Sequence, residues 1–451
     1  MDFSGKTILV IGAGISGRSA SLALVKHGGR VILNDMKAID ITEAPWPELA
    51  QAGVQLSFGS QDISLLDGID IVVPSPVISP EIPIMKEARS RDIPVWSEVE
   101  VASRVTEAQI LGVTGTNGKT TTTTLLGEIM KATGRQTIVG GNIGYGLAVQ
   151  AQDLPETAVI VAELSSFQLE FTQTMKAKAA TILNITPDHL DRHGTMERYT
   201  AAKQRIFRNQ DQSDTAVLNY DDERIRPMAA AMTGAVTWFS TQGEVPNGAF
   251  YHDGSLVLRK DGRDTLICHE NDLHLFGKHN IQNCLAATLL ALAAGAPLTI
   301  VRKVLQSFKG VEHRLEKVRT IHGVTYYNDS KGTNVDASIK ALEAFTGHLI
   351  LIAGGYDKKT RLDEFMDIVA EKVDTLILIG DAAQRFEEAA KKAGIKDIRC
   401  TGYNMERAIM LARKIAVPPQ AVLLSPACSS FDMYDNFEQR GRVFKGIVNA
   451  I

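Results

Sequence analysis

The chain has 451 residues, 44% of them hydrophobic and 22% charged, with 48 Lys+Arg against 52 Asp+Glu and a net charge of −4. That length exceeds what one core holds, so two or three domains are expected, and the near-neutral balance gives no electrostatic case for nucleic acid. No apolar run reaches membrane length, the opening MDFSGKTILVIGAG lacks a secretory layout, and four scattered cysteines suit reduced thiols, so a cytoplasmic protein without membrane insertion is expected.

Residues 7–11 form an apolar β-type run that leads into Gly12-Ala13-Gly14-Ile15-Ser16-Gly17 and then a helical stretch to His27. A second strand from Arg30 ends at Asn34-Asp35. This is G-x-G-x-x-G in a strand–turn–helix setting, with an acid ending the next strand. It argues for a doubly wound sheet whose first turn cradles phosphate. The motif by itself leaves NAD and a sugar diphosphate both open. Residues 70–73 read as a buried strand with Ser75 at its carboxyl end, where ligands of such sheets bind; ordinary turn chemistry would also use a serine there. Residues 94–98 read as a further short strand, and residues 101–107 as a bridge. Residues 1–105 make a Rossmann-like domain.

An apolar strand over residues 109–113 then opens on Gly115-Thr116-Asn117-Gly118-Lys119-Thr120-Thr121 and a helix to Lys131. Glycines let backbone N–H groups converge on an anion. The helix N-terminus adds partial positive charge, Lys119 a full one, and Thr120 offers a hydroxyl to Mg²⁺. The common P-loop pattern wants glycine where Val113 stands, with Gly112 and Gly115 flanking it instead. This spelling resembles the ATP loop of the Mur ligase and folylpolyglutamate synthetase superfamily. The resemblance implies that residues 115–121 bind ATP.

Asn142 sits in a glycine-rich turn that suits lining a substrate and equally suits a tight connection. The strand over residues 158–163 ends in Glu163, where a P-loop enzyme needs a second metal-holding group. The continuation Leu164-Ser165-Ser166-Phe167-Gln168-Leu169-Glu170 resembles the D-glutamate-adding branch of the Mur ligases. That implies Mg²⁺ on Glu163 and a sugar nucleotide near Gln168. After a strand over residues 181–185, Asp188-His189-Leu190-Asp191-Arg192-His193 resembles the family's second metal site, with His189 as ligand and His193 structural. By spacing alone, Lys203 on a helix over residues 195–208 is an exposed lysine. The resemblance implies instead a lysine carbamylated by CO₂, an anion able to hold a second Mg²⁺. A strand (216–219) and a β-rich stretch (236–275) precede a helix to Ala294, where the resemblance puts Asn280 near adenine. Residues 106–310 make a P-loop ATPase-type α/β domain.

In residues 311–451, strands near 324–327, 348–353, 375–379 and 421–424 alternate with helices, a second Rossmann-like sheet. Glu312-His313-Arg314 resembles the family's interdomain motif, implying that Arg314 contacts ATP. After the first of these strands, Asp329 and Lys331 are implied to meet ribose and phosphates, and Thr333 the amino acid. Ser425-Pro426-Ala427-Cys428-Ser429-Ser430-Phe431-Asp432 followed by Asn436-Phe437-Glu438-Gln439-Arg440-Gly441 resembles the D-glutamate-adding branch specifically. There Lys358, Ser430, Phe431 and Phe437 would frame D-glutamate, whose carboxylates suit a lysine and hydroxyls.

Taken together, the resemblance implies ATP-dependent amide ligation of D-glutamate to UDP-N-acetylmuramoyl-L-alanine through an acyl phosphate, by a monomer. It implies two Mg²⁺ ions that would offset the repulsion of anionic partners, one held by Thr120 and Glu163 and the other by His189 and carbamylated Lys203. It also implies that Gly14, Ile15, Ser16, Asp35 and Ser75 hold the UDP-sugar, and that the last domain closes for catalysis. Three rivals stand beside this reading. A folylpolyglutamate synthetase shares the ATP loop but not the first glycine turn. An NAD-dependent dehydrogenase explains Gly12–Gly17 but not the ATP loop. A P-loop switch would bind nucleotide without turnover.

Overall fold

The computed structural model describes residues 2–275 and 277–451, and the side chains of all of these but Asp191. The chain is α/β throughout and carries three open sheets. It divides into two compact units: residues up to Leu273 together with Ile281–Ser307, and His274–Asn280 together with Phe308–Ile451. No helix among the described residues is long and apolar enough to cross a membrane.

The first unit holds two sheets. Strands β1 (Thr7–Ile11), β2 (Arg30–Asp35), β3 (Val54–Phe58) and β4 (Ile71–Pro74) lie in the order β3-β2-β1-β4, all parallel. The central sheet contains β5 (Gln109–Thr114), β6 (Thr137–Gly141), β7 (Val159–Glu163), β8 (Ala179–Ile182) and β9 (Thr215–Asn219). It continues through β10 (Ala235–Ser240), β11 (Gly248–His252), β12 (Ser255–Lys260) and β13 (Arg263–His269). Its order is β13-β12-β11-β10-β9-β8-β5-β7-β6, which confirms the expected β-rich stretch as an extension of the sheet. Parallel strands buried on both faces read as unbroken apolar runs, and Val159, Ile160, Val161 and Ala162 of β7 are all inaccessible to solvent.

One segment departs from its expected form. Residues 94–98 make only an isolated bridge, Val95 to Val72, and a helix occupies Glu98–Arg104 where a bridging segment was expected. The reason is capping. Ser97 accepts a hydrogen bond from the Glu100 N–H, and Glu98 and Glu100 sit in the first turn, where negative charge is favoured. Val99, Val101 and Ala102 of this helix enter an apolar core that also takes in residues of the first and central sheets, including Val10, Val73, Ile160 and Ile182. That shared core is the physical basis of the two sheets forming one unit.

In the second unit, β14 (Glu316–Ile321), β15 (Val324–Asn328), β16 (Leu349–Gly354), β17 (Val373–Ile379), β18 (Ile398–Cys400) and β19 (Ala421–Leu424) follow the order β14-β15-β19-β16-β17-β18. Only β14 runs antiparallel.

Glu100 is a polar brace of the first unit. Its fully buried carboxylate accepts from the backbone N–H groups of Gln173, Thr174 and Met175, from the Thr174 hydroxyl and from Arg104 Nε. Burial works against ionisation, but the Thr174 hydroxyl and the three amides outweigh it and hold the acid below its ordinary value. Glu100→Ala should therefore destabilise the first unit by about 3 kcal/mol or more, because several buried donors lose their partner. The depressed value fixes the sign of the pH effect. The stabilisation is present above the ordinary glutamate range and is lost as pH falls through the lowered folded value. Urea unfolding of wild type and variant across pH 3–7 checks both statements, in about that window.

Candidate active site

In the first sheet the strand order turns back between β1 and β4, and such a switch point opens a crevice at the carboxyl ends. The glycine turn leaves β1 there. Gly12 has φ of 96° and its carbonyl accepts from the Ser75 hydroxyl at 3.0 Å, so Ser75 packs directly under the turn. Gly17 is required by space, since a Cβ there would lie 1.9 Å from the Gly12 oxygen. Asp35, at the end of β2, accepts from the Ala13 and Lys37 N–H groups, both at 2.9 Å. Gly14 caps the helix Ile15–Lys26, with Ile15 exposed and Ser16 half-buried beside it. The five candidate residues of this turn thus share one strand-end edge.

The order β8-β5-β7-β6 places four strand ends side by side in the central sheet. The loop Gly115–Gly118 leaves β5, Glu163 ends β7, Asn142 follows β6, and Asp188-His189 follow β8. The loop is held from the β8 side. Thr116 N–H and Asn117 N–H donate to the backbone and side-chain oxygens of Asn184 at 3.0 and 2.8 Å. The Thr116 hydroxyl donates to the Thr186 carbonyl and lies 3.1 Å from the Tyr199 hydroxyl. Gly118 has φ of 84°, and a Cβ there would meet Asn283 Oδ1 at 2.3 Å. Thr120 and Thr121 are buried in the first turn of the helix Lys119–Ala132.

Lys119 Nζ folds back to donate to the Gly115 and Thr116 carbonyls at 2.9 and 2.8 Å. Lys203 Nζ reaches the same Gly115 carbonyl at 2.8 Å. Lys203 is 2% exposed, so it is not the solvated helix lysine that spacing alone suggests. Burial, reinforced by the charge of Lys119, holds its ammonium well below the ordinary lysine value. Glu163 is equally buried. One of its oxygens accepts from Asn142 Nδ2 at 3.0 Å, and the other is buried with no protein partner. A carboxylate oxygen left bare in this way suits a cation.

His189 is half exposed, adopts φ of 51° and packs against Phe167 in a tilted arrangement, with ring centroids 4.8 Å apart and planes at 57°. His193 is buried and pairs with the Ser166 hydroxyl at 2.9 Å, in keeping with a structural role. The Gln168 side-chain oxygen accepts from the Ser165 N–H and hydroxyl, closing a capping box on the helix Ser166–Glu170.

In the second unit the carboxyl ends of β15, β19 and β16 are neighbours. Asp329 is buried and accepts from Ser425 Oγ at 2.7 Å and from the Leu315 N–H at 3.2 Å; burial raises its acid to about 6. Lys331 lies over the Phe437 ring, 5.6 Å from its centroid. Lys358 Nζ donates to the Thr333 carbonyl at 3.0 Å, which joins two of the four loop segments expected to frame an amino acid. Ser430 is buried, Phe431 is 68% exposed, and Arg314 is half-buried with an unpartnered Nε. Asn280 is buried in the first turn of the helix Lys278–Ala293.

Two arginines carry more of this architecture than their motifs suggested. Arg192 donates to the carbonyls of Pro76 and Ile78 and pairs with Glu170, tying the His189 segment to the Ser75 edge. Arg440, 1% exposed, donates to Ser330 Oγ and to the carbonyls of Ser330, Ser429 and Cys428. It stands inside the quoted Asn436–Gly441 motif, whose aromatic drew attention instead.

Glu312, His313 and Glu316 cluster closely enough to suggest a metal site. The hydrogen bonds argue otherwise. Asn328 Nδ2 donates to Glu316 and to His313 Nδ1, and Asn328 Oδ1 accepts from Ser330 N–H, which fixes the amide orientation. His313 Nδ1 is therefore the acceptor and Nε2 carries the proton, leaving no lone pair for a metal. Lys445 already neutralises both glutamates.

Residues 113–291 match the model of the Mur ligase middle domain, and residues 313–428 that of the Mur ligase glutamate ligase domain. A UDP-N-acetylmuramoylalanine–D-glutamate ligase of Pelotomaculum thermopropionicum is 45% identical over 450 residues, covering 100% of this chain and 99% of that protein. One of the same name from Thermoanaerobacter pseudethanolicus is 43% identical, covering 99% of both. Among solved structures, the UDP-N-acetylmuramate-alanine ligase MurC of Thermotoga maritima aligns with a TM-score of 0.60 at 19% identity over 99% of each chain. The MurF ligase of the same organism in complex with ADP gives 0.58 at 18% identity, covering 100% of this chain and 96% of that one.

Arg440→Lys tests the bracing role directly. It keeps the charge but puts all donors on one nitrogen, which cannot span four acceptors. The second unit should lose about 3 kcal/mol, read as a lower unfolding transition in calorimetry. An unchanged transition would show that the planar fork organises nothing.

Proposed function

The chain belongs to the Mur ligase family, and we propose on that premise that it joins the amine of D-glutamate to the L-alanyl carboxylate of UDP-N-acetylmuramoyl-L-alanine. ATP drives the reaction, which is a step of peptidoglycan precursor synthesis. The observation that carries the site is the meeting of Lys119 and Lys203 on one carbonyl, in a sheet whose neighbouring strand ends in the half-unpartnered Glu163. The substrates follow from the full-length relatives of that name.

In this reading residues 1–105 take the UDP-sugar at Gly14, Ile15, Ser16, Asp35 and Ser75, residues 106–310 take ATP, and residues 311–451 take D-glutamate. The loop Gly115–Thr121 wraps the phosphates and Lys119 leaves its carbonyl contacts for them. Asn280, Arg314, Asp329 and Lys331 serve the nucleotide. Asn142 and Gln168 line the sugar nucleotide, and Thr333, Lys358, Ser430, Phe431 and Phe437 the amino acid. The substrate carboxylate attacks the γ-phosphorus and ADP leaves. The neutral amine of D-glutamate then attacks the acyl phosphate carbonyl, and phosphate departs with the C–O electron pair.

Mg²⁺ fits the donors present. Thr120 and the bare Glu163 oxygen would hold one ion, and His189 with Lys203 a second. The ions would supply charge neutralisation between ATP and a carboxylate. Lys203 fits carbamylation because only a neutral amine adds CO₂, and its burial favours the neutral form. The carbamate replaces a disfavoured buried cation with an anion suited to metal. We also assign the protein to the cytoplasm as a monomer, which light scattering on a sizing column tests.

Phosphate release should require ATP, Mg²⁺, UDP-N-acetylmuramoyl-L-alanine and D-glutamate together, with L-glutamate and L-lysine inactive. Release without the sugar nucleotide, or none at all from folded protein, would overturn the assignment. Lys203→Ala should cut turnover by about 100-fold or more, with partial recovery in added formate or acetate. ¹³C-bicarbonate should give a carbamate resonance in wild type that the variant lacks. Full activity in the variant would remove the carbamate from the scheme.

A further inference from the structure

Glu98 is a buried carboxyl group outside everything assigned above. It is 1% exposed at the first position of the helix Glu98–Arg104. One oxygen accepts from Ser19 Oγ at 2.9 Å and from the Ala148 N–H at 2.6 Å. The other oxygen is buried without a partner, and no cation pairs with the group among the described residues. Burial raises its acid to about 7, outweighing the hydrogen bonds from Ala148 and Ser19 that favour its charged form. A group this costly to bury, only half satisfied, calls for a function.

What it joins supplies one. Ser19 lies one turn into the helix Ile15–Lys26 that springs from the glycine turn. Its hydroxyl donates to Glu98 and accepts from the Val149 N–H at 3.0 Å. Ala148 and Val149 open the short helix Leu147–Ala151, the continuation of the loop that carries Asn142. The approach is tight: a Cβ at Gly146 would lie 2.1 Å from Ser19 Cβ and 3.2 Å from the Ile15 carbonyl. Asn142 in turn holds Glu163 through its side chain and through its backbone N–H at 2.8 Å. An unbroken path of contacts therefore runs from the glycine turn of the first sheet to the Glu163 end of the central sheet, and Glu98 is its cross-brace.

We propose that Glu98 is a positioning residue for sugar-nucleotide binding, fixing the diphosphate-cradling turn of the first sheet in register with the Asn142 loop of the central sheet. This rests on the reading that both segments bind one substrate. A ligand spanning the two sheets gains affinity from their being preset, because no ordering remains at binding. The nucleotide loop, held from the β8 side, does not depend on the brace. Glu163 is reached only through Asn142 at the far end of the path, so the effect falls mainly on the sugar nucleotide.

The test is steady-state kinetics of Glu98→Ala, Glu98→Gln and Ser19→Ala in the full chain, with direct calorimetric titration of UDP-N-acetylmuramoyl-L-alanine. Glu98→Ala should raise KM and Kd for the sugar nucleotide about tenfold, with kcat and the KM for ATP within about twofold of wild type. Glu98→Gln keeps an oxygen for Ser19 and Ala148 and should fall within about twofold of wild type throughout. Ser19→Ala, which removes the hydroxyl without enlarging the side chain, should shift the same KM about threefold and carries the test should Glu98→Ala not fold. An unchanged sugar-nucleotide KM in Ser19→Ala and Glu98→Ala overturns the proposal, as does an equal rise for ATP, which marks general loosening. Glu98→Gln as damaging as Glu98→Ala also overturns it, since charge rather than these hydrogen bonds would then matter. Wild-type protein that neither binds nor turns over the sugar nucleotide sinks the functional reading itself.

Discussion

Two lysine amines donate to one carbonyl oxygen at Gly115, and the chemistry of the central sheet follows from how that crowding is relieved. Like charges in a desolvated pocket repel without solvent screening. Lys203 cannot move away, because the helix Met196–Gln204 that carries it is anchored through Tyr199 to Thr116 of the same loop. Burial first, and the charge of Lys119 second, hold its ammonium well below the ordinary lysine value. An amine whose charged form is disfavoured thereby sits against the loop that follows β5, beside a strand that ends in a carboxylate oxygen with no protein partner. Each of these groups is unfavourable where it stands, and bound cations and phosphates would relieve them together.

The three sheets solve one geometric problem in the same way. In each, parallel strands on either side of a reversal in order send their loops to a common edge. The glycine turn and Ser75 meet at the first, the loop Gly115–Gly118 and Glu163 at the second, and the segments after β15, β19 and β16 at the third. Parallel sheets permit this because every strand enters from the same side, so polar residues at strand ends gather without disturbing the apolar interior.

The strands and their loops were legible because they are written locally. An apolar run, a glycine cluster and a polar strand end lie within about ten residues of one another, and the residues that follow repeat family wording. The helix Glu98–Arg104 was missed although its signal was present: Ser97 and Glu100 have the spacing of a cap, but Val95 and Trp96 drew residues 94–98 toward strand and residues 101–107 were read as a bridge. Lys203 was the reverse case. Its helix has no clear apolar stripe to mark an inner face, and burial is decided by the loop after β5, 88 positions away in sequence. The side chains of Arg192, Arg440 and Glu98 act on segments more than ten positions away, and single-sequence reasoning has no access to such pairings.

These distant braces share a physical origin. Loops that leave a strand end also leave its hydrogen-bond ladder, so their N–H and C=O groups need other partners. Water serves where the loop is exposed, but a site that must exclude water cannot use it. A carboxylate with several lone pairs, or a guanidinium with five donors, satisfies a whole turn at once. Glu100 does this for residues 173–175, and Arg440 for the carbonyls of Cys428, Ser429 and Ser330. Charged side chains are thus buried close to the candidate site without belonging to its chemistry. A motif such as the one around Phe437 and Arg440 interleaves a residue proposed to face substrate with one that holds the loop in shape. Substitutions at the two should then separate in their readouts, the first in kinetics and the second in folding.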